Sequence, residues 1–538
     1  MADQKGNSAT FEYVALGIIL ALVTFAIGIE INSIFGSFSL VSFEKTFSCL
    51  LFFKHISKPA LACDKSIRGK ITNNPFLFLT GIITSLIVVI TLCYATYEML
   101  LKKKKNGVKA GEHKRELGVK NLRSKAPHIR PNLKFNPKEV GFLVGKTDSG
   151  RNTWITWEES LYILGPPRSG KTRGVIIPLI KSIPGAAVVT SIRDDLITST
   201  AEMRSELGEV YVFSQHSDEF FKNNKHLKPL FWDPIVGCED LNIAKRRADS
   251  LVNAGSGLAN STENKFWAIT AADIITSYFH AAALAGYKID NVYQWANNHN
   301  SPIPSKILDD YGKSVLADNL RNKASDSKMA ANNWAGVLTT LNVLSNTVIR
   351  NRLSPQFSNQ AIDFTTFIKG KNTIYLTGTE SNQEAIAPII ALLIEEIIAT
   401  TRDIVAETGK RCDPPLSLIL DEVANIAKLG SISSLLSTGG GSGIFTALVL
   451  QSNNQARNRW GAEEAGTMWE ASTVKLILGG LSNANDLRDI SLLGGINEDK
   501  DKKEPNWSEA KIRGIPQGQA LLIHRRLEPM KIKLREIK

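Results

Sequence analysis

Paired cysteine and histidine spacings, internal repeats and long low-complexity tracts are all missing from this 538-residue chain. Its five cysteines and eight histidines are scattered, so no zinc site can be drawn from them. Charge of one sign is also scarce outside a single stretch. The formal net charge of +12 invites a nucleic-acid partner. Between Lys102 and Lys138, however, thirteen Lys/Arg stand against two Glu, a net of +11. The remainder is close to neutral, so no basic surface is spread over a folded domain. The length exceeds one small domain and predicts two or three.

What is present begins with Gly165-Pro166-Pro167-Arg168-Ser169-Gly170-Lys171-Thr172, which fits G-x-x-x-x-G-K-[ST], a phosphate-binding loop. Leu161–Leu164 before it reads as a buried strand, and Lys171 onward as the start of a helix. A strand, a glycine-containing loop and a helix N-terminus aim backbone N–H groups and the positive dipole end at one point, which suits a polyphosphate. Downstream, Leu416–Leu420 is an apolar strand ending in Asp421-Glu422. An acidic residue at a strand tip is the usual second partner of Mg²⁺ in such NTPases. Asp421 is expected to hold the ion through its water shell, Thr172 to ligate it directly, and Glu422 to orient or deprotonate the attacking water. That second carboxylate favours hydrolysis over a nucleotide switch or a kinase. Alone, the pair also fits a strand ending in solvated acids. Pro178, seven residues after Lys171 and inside the helix the loop opens, is expected to kink or end that helix.

Two apolar runs precede the loop. Pro75–Leu101 is long enough to cross a bilayer and is followed at once by Lys102–Lys105, which marks a cytoplasmic side. Tyr13–Ile29 is apolar and uncharged, and its flank (Asp3, Lys5, Glu12) lacks the positive region of a signal peptide. The expected topology has spans at about 13–32 and 75–101, an outside loop at 31–74, and both ends in the cytoplasm. Cys49 and Cys63 fall in that loop, where a disulfide and two free thiols are equally compatible. The 102–138 stretch reads as a solvated tether against anionic lipid, with DNA contact as the alternative.

From about residue 139 the composition is that of an α/β domain. Short apolar strands are expected at Leu161–Leu164, Ala186–Thr190, Val210–Phe213, Thr373–Thr377, Leu416–Leu420, Phe445–Leu450, Val474–Leu478 and Ala520–Ile523. Their alternation with helices predicts a mainly parallel, doubly wound sheet, with ligands at the C-terminal strand ends. Between about 238 and 355 strand runs disappear and helical periodicity takes over, at Leu241–Val252, Lys265–Leu284, Val315–Lys323 and Asn332–Leu344. There Trp267, Trp295 and Trp334 read as core anchors rather than base-stacking platforms. Gly439-Gly440-Gly441-Ser442-Gly443 reads as a flexible turn and not a second phosphate site, because no Lys-Ser/Thr and helix follow.

Taken together, two N-terminal spans, GPPRSGKT, a helical insertion and LSLILDEVANI resemble the type IV secretion coupling proteins, the TraG/TraD group of conjugation ATPases. Thr190–Leu196, Lys265-Phe266-Trp267, Leu450-Gln451-Ser452 and Val474–Gly480 match similar places in that family. The resemblance implies an α/β RecA-like P-loop NTPase domain (139–237 and 356–538) with an inserted all-α domain (238–355), a basic juxtamembrane linker (102–138) and a transmembrane region (1–101). It implies a homo-hexamer in the inner membrane with its ATPase domain in the cytoplasm. ATP and Mg²⁺ would be its cofactors, and DNA with a relaxase or effector proteins its cargo for a secretion channel. Lys171 would contact the β/γ-phosphates and Gln451 would sense the γ-phosphate. Two departures stand out. No arginine precedes the Gln451 strand, leaving Arg457 and Arg459 as unassigned candidates to act in a neighbour's site, and the chain ends without a long acidic tail. A slowly hydrolysing docking platform and an FtsK-like DNA translocase are the competing functions.

Overall fold

The computed structural model describes residues 112–538 except 114, 256–261, 326, 379–382, 427, 498–503, 526 and 536–538, together with scattered positions between 65 and 97. Contacts divide the chain into Met1–Gly111 and Glu112–Lys538. Among the described residues no helix is long and apolar enough to cross a membrane. The run Tyr13–Ile29, the Cys49/Cys63 pair and most of Pro75–Leu101 lie outside them.

In chain order the strands are β1 (Gly141–Thr147), β2 (Asn152–Thr156), β3 (Leu161–Leu164), β4 (Ala187–Ser191), β5 (Val210–Phe213), β6 (Lys228–Pro229) and β7 (Thr373–Thr377). Then come β8 (Leu416–Asp421), β9 (Ile444–Leu450), β10 (Val474–Leu478), β11 (Ile496–Asn497), β12 (Glu504–Pro505), β13 (Gln519–His524) and β14 (Met530–Leu534). Twelve of the described strands form one sheet in the order β2-β1-β14-β13-β10-β3-β9-β8-β4-β7-β5-β6. From β10 to β6 every pairing is parallel, and from β10 to β2 every pairing is antiparallel. All eight expected strands are present, to within a residue or two at their ends. The antiparallel β1, β2 and β14 were not anticipated.

The central strands are uniformly apolar because both faces of the sheet are covered. Tyr162 and Leu164 of β3 and Val188 of β4 enter one core, while Leu161, Ile163, Ala187 and Val189 enter the core on the other side. The described elements from Leu241–Ala254 to Thr347–Arg352 are all helical. They share the first of these cores with β4, β7 and β8. Trp295 and Trp334 are buried there and Trp267 is half-buried.

Two stretches differ from expectation. The basic stretch is not a solvated tether throughout. Val119–Ile129 is a helix whose Leu122, Ala126 and Ile129 are buried, because its apolar residues recur at helical spacing despite the surrounding lysines. The glycines at 439–441 are not a flexible turn either. They complete a helix, Ile432–Ser442, which ends at Gly443 in the left-handed conformation (φ 78°). A Cβ at Gly440 would lie 2.0 Å from the Glu158 carbonyl oxygen, so absence of a side chain, not flexibility, is what the packing uses.

Candidate nucleotide site

The loop Gly165–Thr172 follows β3 at its C-terminal end. Strand β9 lies between β3 and β8, with Leu164 level with Leu450 and Asp421 level with Val449. The phosphate loop, Gln451 and the Asp421-Glu422 pair therefore emerge at the same edge, on three adjacent strands. The Gly165 N–H donates to the Leu450 carbonyl at 3.1 Å, which fixes the loop's first residue to the middle strand.

Within the loop, Arg168 and Gly170 have positive φ (63° and 90°). A side chain at Gly165 would meet Ser169 Oγ at 2.8 Å. Ser169 Oγ itself is buried without a hydrogen-bond partner. Lys171 is buried. Its Nζ donates to the carbonyls of Gly165 (2.6 Å) and Pro166 (3.0 Å), so the ammonium is parked across the mouth of its own loop. Burial pushes its pKa down, opposed by the charges of Asp421 and Glu422. Thr172 opens a five-residue π-helical turn, Thr172–Ile176, in which the Ile177 N–H reaches back to the Thr172 carbonyl. The helix then runs only from Ile177 to Ile180. Pro178 explains both features: it has no N–H to donate, and its ring would crowd the carbonyl four residues back.

Asp421 is the second pole. Its backbone carbonyl accepts from Thr190 Oγ1 at 2.8 Å, tying β8 to β4. Its carboxylate is buried and Oδ1 has no hydrogen-bond partner. Burial, and then the Glu422 charge, raise its pKa to about 7 against the pull of Lys171. A desolvated carboxylate oxygen whose lone pairs accept no hydrogen bond, beside a second carboxylate, is a fit for a hard divalent cation. Among the described residues no group of three or more His, Cys, Asp or Glu is gathered into a metal cluster. Glu422 sits at φ 50°, a conformation costly for a residue with a side chain and typical of functional sites.

Gln451 is half-buried, and its N–H donates to Gln455 Oε1 at 3.0 Å. Gln455 Nε2 in turn donates to Asn425 Oδ1 at 2.9 Å. This Gln455–Asn425 bridge joins the segment after β9 to the short helix Val423–Ile426 after β8, and the sequence alone gave no signal for it. Asp195, after β4, also adds negative charge at Asp421. The two candidate arginines are held within their own chain. Arg457 faces Asp489 (3.3 Å) and Asp486 (3.9 Å), and Arg459 donates to the Ala254 carbonyl at 3.3 Å.

A phosphate loop after a central parallel strand, with a carboxylate pair two strands away, defines an α/β P-loop NTPase fold with a large sheet. The chain belongs to the family described as type IV secretory system conjugative DNA transfer, whose model matches residues 111–498. Protein VirD4 of Agrobacterium fabrum is 22% identical over 316 residues, which are 55% of this chain and 44% of that protein. VirD4 of Rhizobium rhizogenes is 22% identical over 290 residues, 51% and 40% of the two chains. The matched segment thus spans less than half the length of these relatives. The plasmid coupling protein TrwB in complex with ADP and Mg²⁺ superposes with a TM-score of 0.58 at 17% identity, over 73% of this chain and 90% of that one. TrwB with a non-hydrolysable ATP analogue gives 0.56 at 17% identity, over 71% and 86%.

Proposed function

We propose that this chain is the membrane-anchored ATPase of a conjugation or secretion apparatus, coupling DNA with its relaxase, or effector proteins, to a type IV channel. The observation that carries the reading is the convergence of the Gly165–Thr172 loop with a buried Asp421 carboxylate, one oxygen of which has no hydrogen-bond partner, and the strained Glu422. In this reading the loop's N–H groups hold the phosphates of ATP. Lys171 leaves the carbonyls of Gly165 and Pro166 for the β/γ-phosphates. Thr172 and Asp421 would hold Mg²⁺, which would supply neutralisation of phosphate charge. Glu422 accepts the proton of the attacking water. Gln451, through Gln455 and Asn425, reports the state of the γ-phosphate. The site sits in a homo-hexamer at the inner membrane, with the ATPase portion in the cytoplasm and the N-terminal segment crossing the membrane twice. The family's description as conjugative DNA transfer, the naming of TrwB as a plasmid coupling protein, its nucleotide complexes and the apolar runs support this reading.

Steady-state ATP hydrolysis, with and without single- and double-stranded DNA, is the test. Lys171→Ala is expected to weaken ATP binding roughly 30- to 1000-fold, the effect of removing a buried charge partner. Glu422→Gln is expected to keep binding and lower turnover by about 10²- to 10⁴-fold, the range for loss of a general base. Normal turnover by Glu422→Gln would remove it as the base. Wild-type hydrolysis that is slow and unmoved by DNA or cargo at any salt would instead make the protein a docking platform.

A further inference from the structure

A cavity of 460 Å³ lies at the end of the sheet away from the phosphate loop. Its floor is where the short helix Ile177–Ile180 ends and where the chain turns into β4 and β7. Its wall is formed by β1 and β2. Four cations line it: Lys138, Lys181, Lys371 and Arg535. None of the four has an ion-pair partner among the described residues, whereas the single carboxylate of the lining, Glu139, is already engaged by Arg130. Trp154 also lines the cavity. It is only 8% exposed, and its indole N–H is buried with no acceptor. A donor left unsatisfied at that depth costs free energy that an incoming acceptor returns. Four unpaired cations and an orphaned donor around one concavity call for an anion with several oxygens.

The rest of the lining decides which anion. Leu143, Pro178, Pro184 and the exposed Leu207 give the cavity an apolar side, which a free phosphate does not use. A single half-open concavity of this size admits one headgroup and not a duplex, whose phosphates need an extended basic surface. The cavity is also walled by Asn136–Gly141, the point at which the chain enters the sheet straight after its basic stretch. We propose that this cavity binds the phosphate of one acidic phospholipid headgroup, with glycerol and acyl carbons against the Leu207 side. Basic pockets beside membranes are known to select such headgroups. The inference rests on the proposed membrane attachment. The two fail separately, because attachment is read by cell fractionation and the cavity by lipid retention.

Native mass spectrometry of the full chain in a non-ionic detergent, supplemented with phosphatidylglycerol or phosphatidylcholine, tests it. One phosphatidylglycerol per chain is expected to be retained in preference to phosphatidylcholine. Lys181→Gln combined with Lys371→Gln is expected to weaken that retention at least about ten-fold, given what each surface cation contributes. Trp154→Phe is expected to weaken it several-fold with an unchanged melting temperature, and neutralising Lys102–Lys105 to leave it intact. Equal retention of both lipids, or unaltered retention by the double variant, overturns the proposal. So does displacement by millimolar inorganic phosphate with the lipid's acyl chains making no difference. Loss of single-stranded DNA binding with lipid retention untouched would also overturn it and make the cavity a nucleic-acid contact.

Discussion

Asp421 is the residue whose ionisation the fold opposes most usefully. Its pKa is raised to about 7 from an ordinary 3.8. A raised acid binds more protons folded than unfolded, so it lowers stability progressively as pH climbs from the ordinary carboxylate range through 7. Each unit of that shift is worth about 1.4 kcal/mol. The ligand-free protein is therefore expected to lose thermal stability between pH 5 and pH 8, and Asp421→Asn, which cannot ionise, to flatten that part of the profile. A Mg²⁺-nucleotide favours the ionised form, so its stabilising effect should grow over the same interval in the wild type and not in the variant. Parallel melting profiles for the two proteins would exclude Asp421 as the responsible group. At this scale the sequence was highly legible. The loop and the acidic pair are written in residue order, and strand ends place them. The positive φ of Glu422, the parked Lys171 ammonium and the Gln455–Asn425 bridge were not legible, because each depends on which backbones come together.

Among the elements, the helix Ile432–Ser442 shows where a compositional rule misleads. Glycine favours turns, but here it lets a helix lie against the Glu158 backbone. Gly440→Ala would place Cβ 2.0 Å from a carbonyl oxygen, whereas Gly441→Ala meets nothing within 4 Å. The first is expected to destabilise by about 1–3 kcal/mol through overpacking. The second is expected to stabilise by about 0.5–1 kcal/mol through helix propensity. Chemical denaturation of the pair checks the difference; destabilisation of similar size by both would restore the flexible-turn reading. The strands divide in the same way. Those buried on two faces announce themselves as continuous apolar runs. β14 alternates Met530, Ile532 and Leu534 with Lys531 and Lys533, the pattern of a strand with one face on the core, whose period of two was available in the sequence. β2, with Asn152 and two threonines, carries too little apolar contrast to be read that way.

For the molecule as a whole, the question is whether the helical stretch and the sheet melt as one. Their apolar residues form one continuous core, and a buried ion pair adds a polar clamp. Arg247, on Leu241–Ala254, contacts Glu396 on the long helix Gln383–Thr408 through two hydrogen bonds, of 2.5 and 3.0 Å. It also donates to the Pro234 and Val236 carbonyls at 2.9 and 2.6 Å. Burial works against the Glu396 charge, but Arg247 and Arg246 outweigh it and hold the carboxyl below its ordinary range. Removing one member of such a pair leaves a buried charge uncompensated, at a cost of about 3–5 kcal/mol. Glu396 binds Arg246 and Arg247 and makes no contact with the phosphate loop or the Asp421-Glu422 pair among its hydrogen bonds, so an effect of Glu396→Gln on nucleotide binding is expected to travel through shared stability. In the full chain in detergent, helical circular dichroism and binding of a fluorescent ATP analogue are expected to be lost together on heating. In Glu396→Gln both midpoints should fall by the same amount. If the helical signal melted early while nucleotide binding kept its wild-type midpoint, the helical stretch would be a separately folding unit, and the clamp a local contact within it.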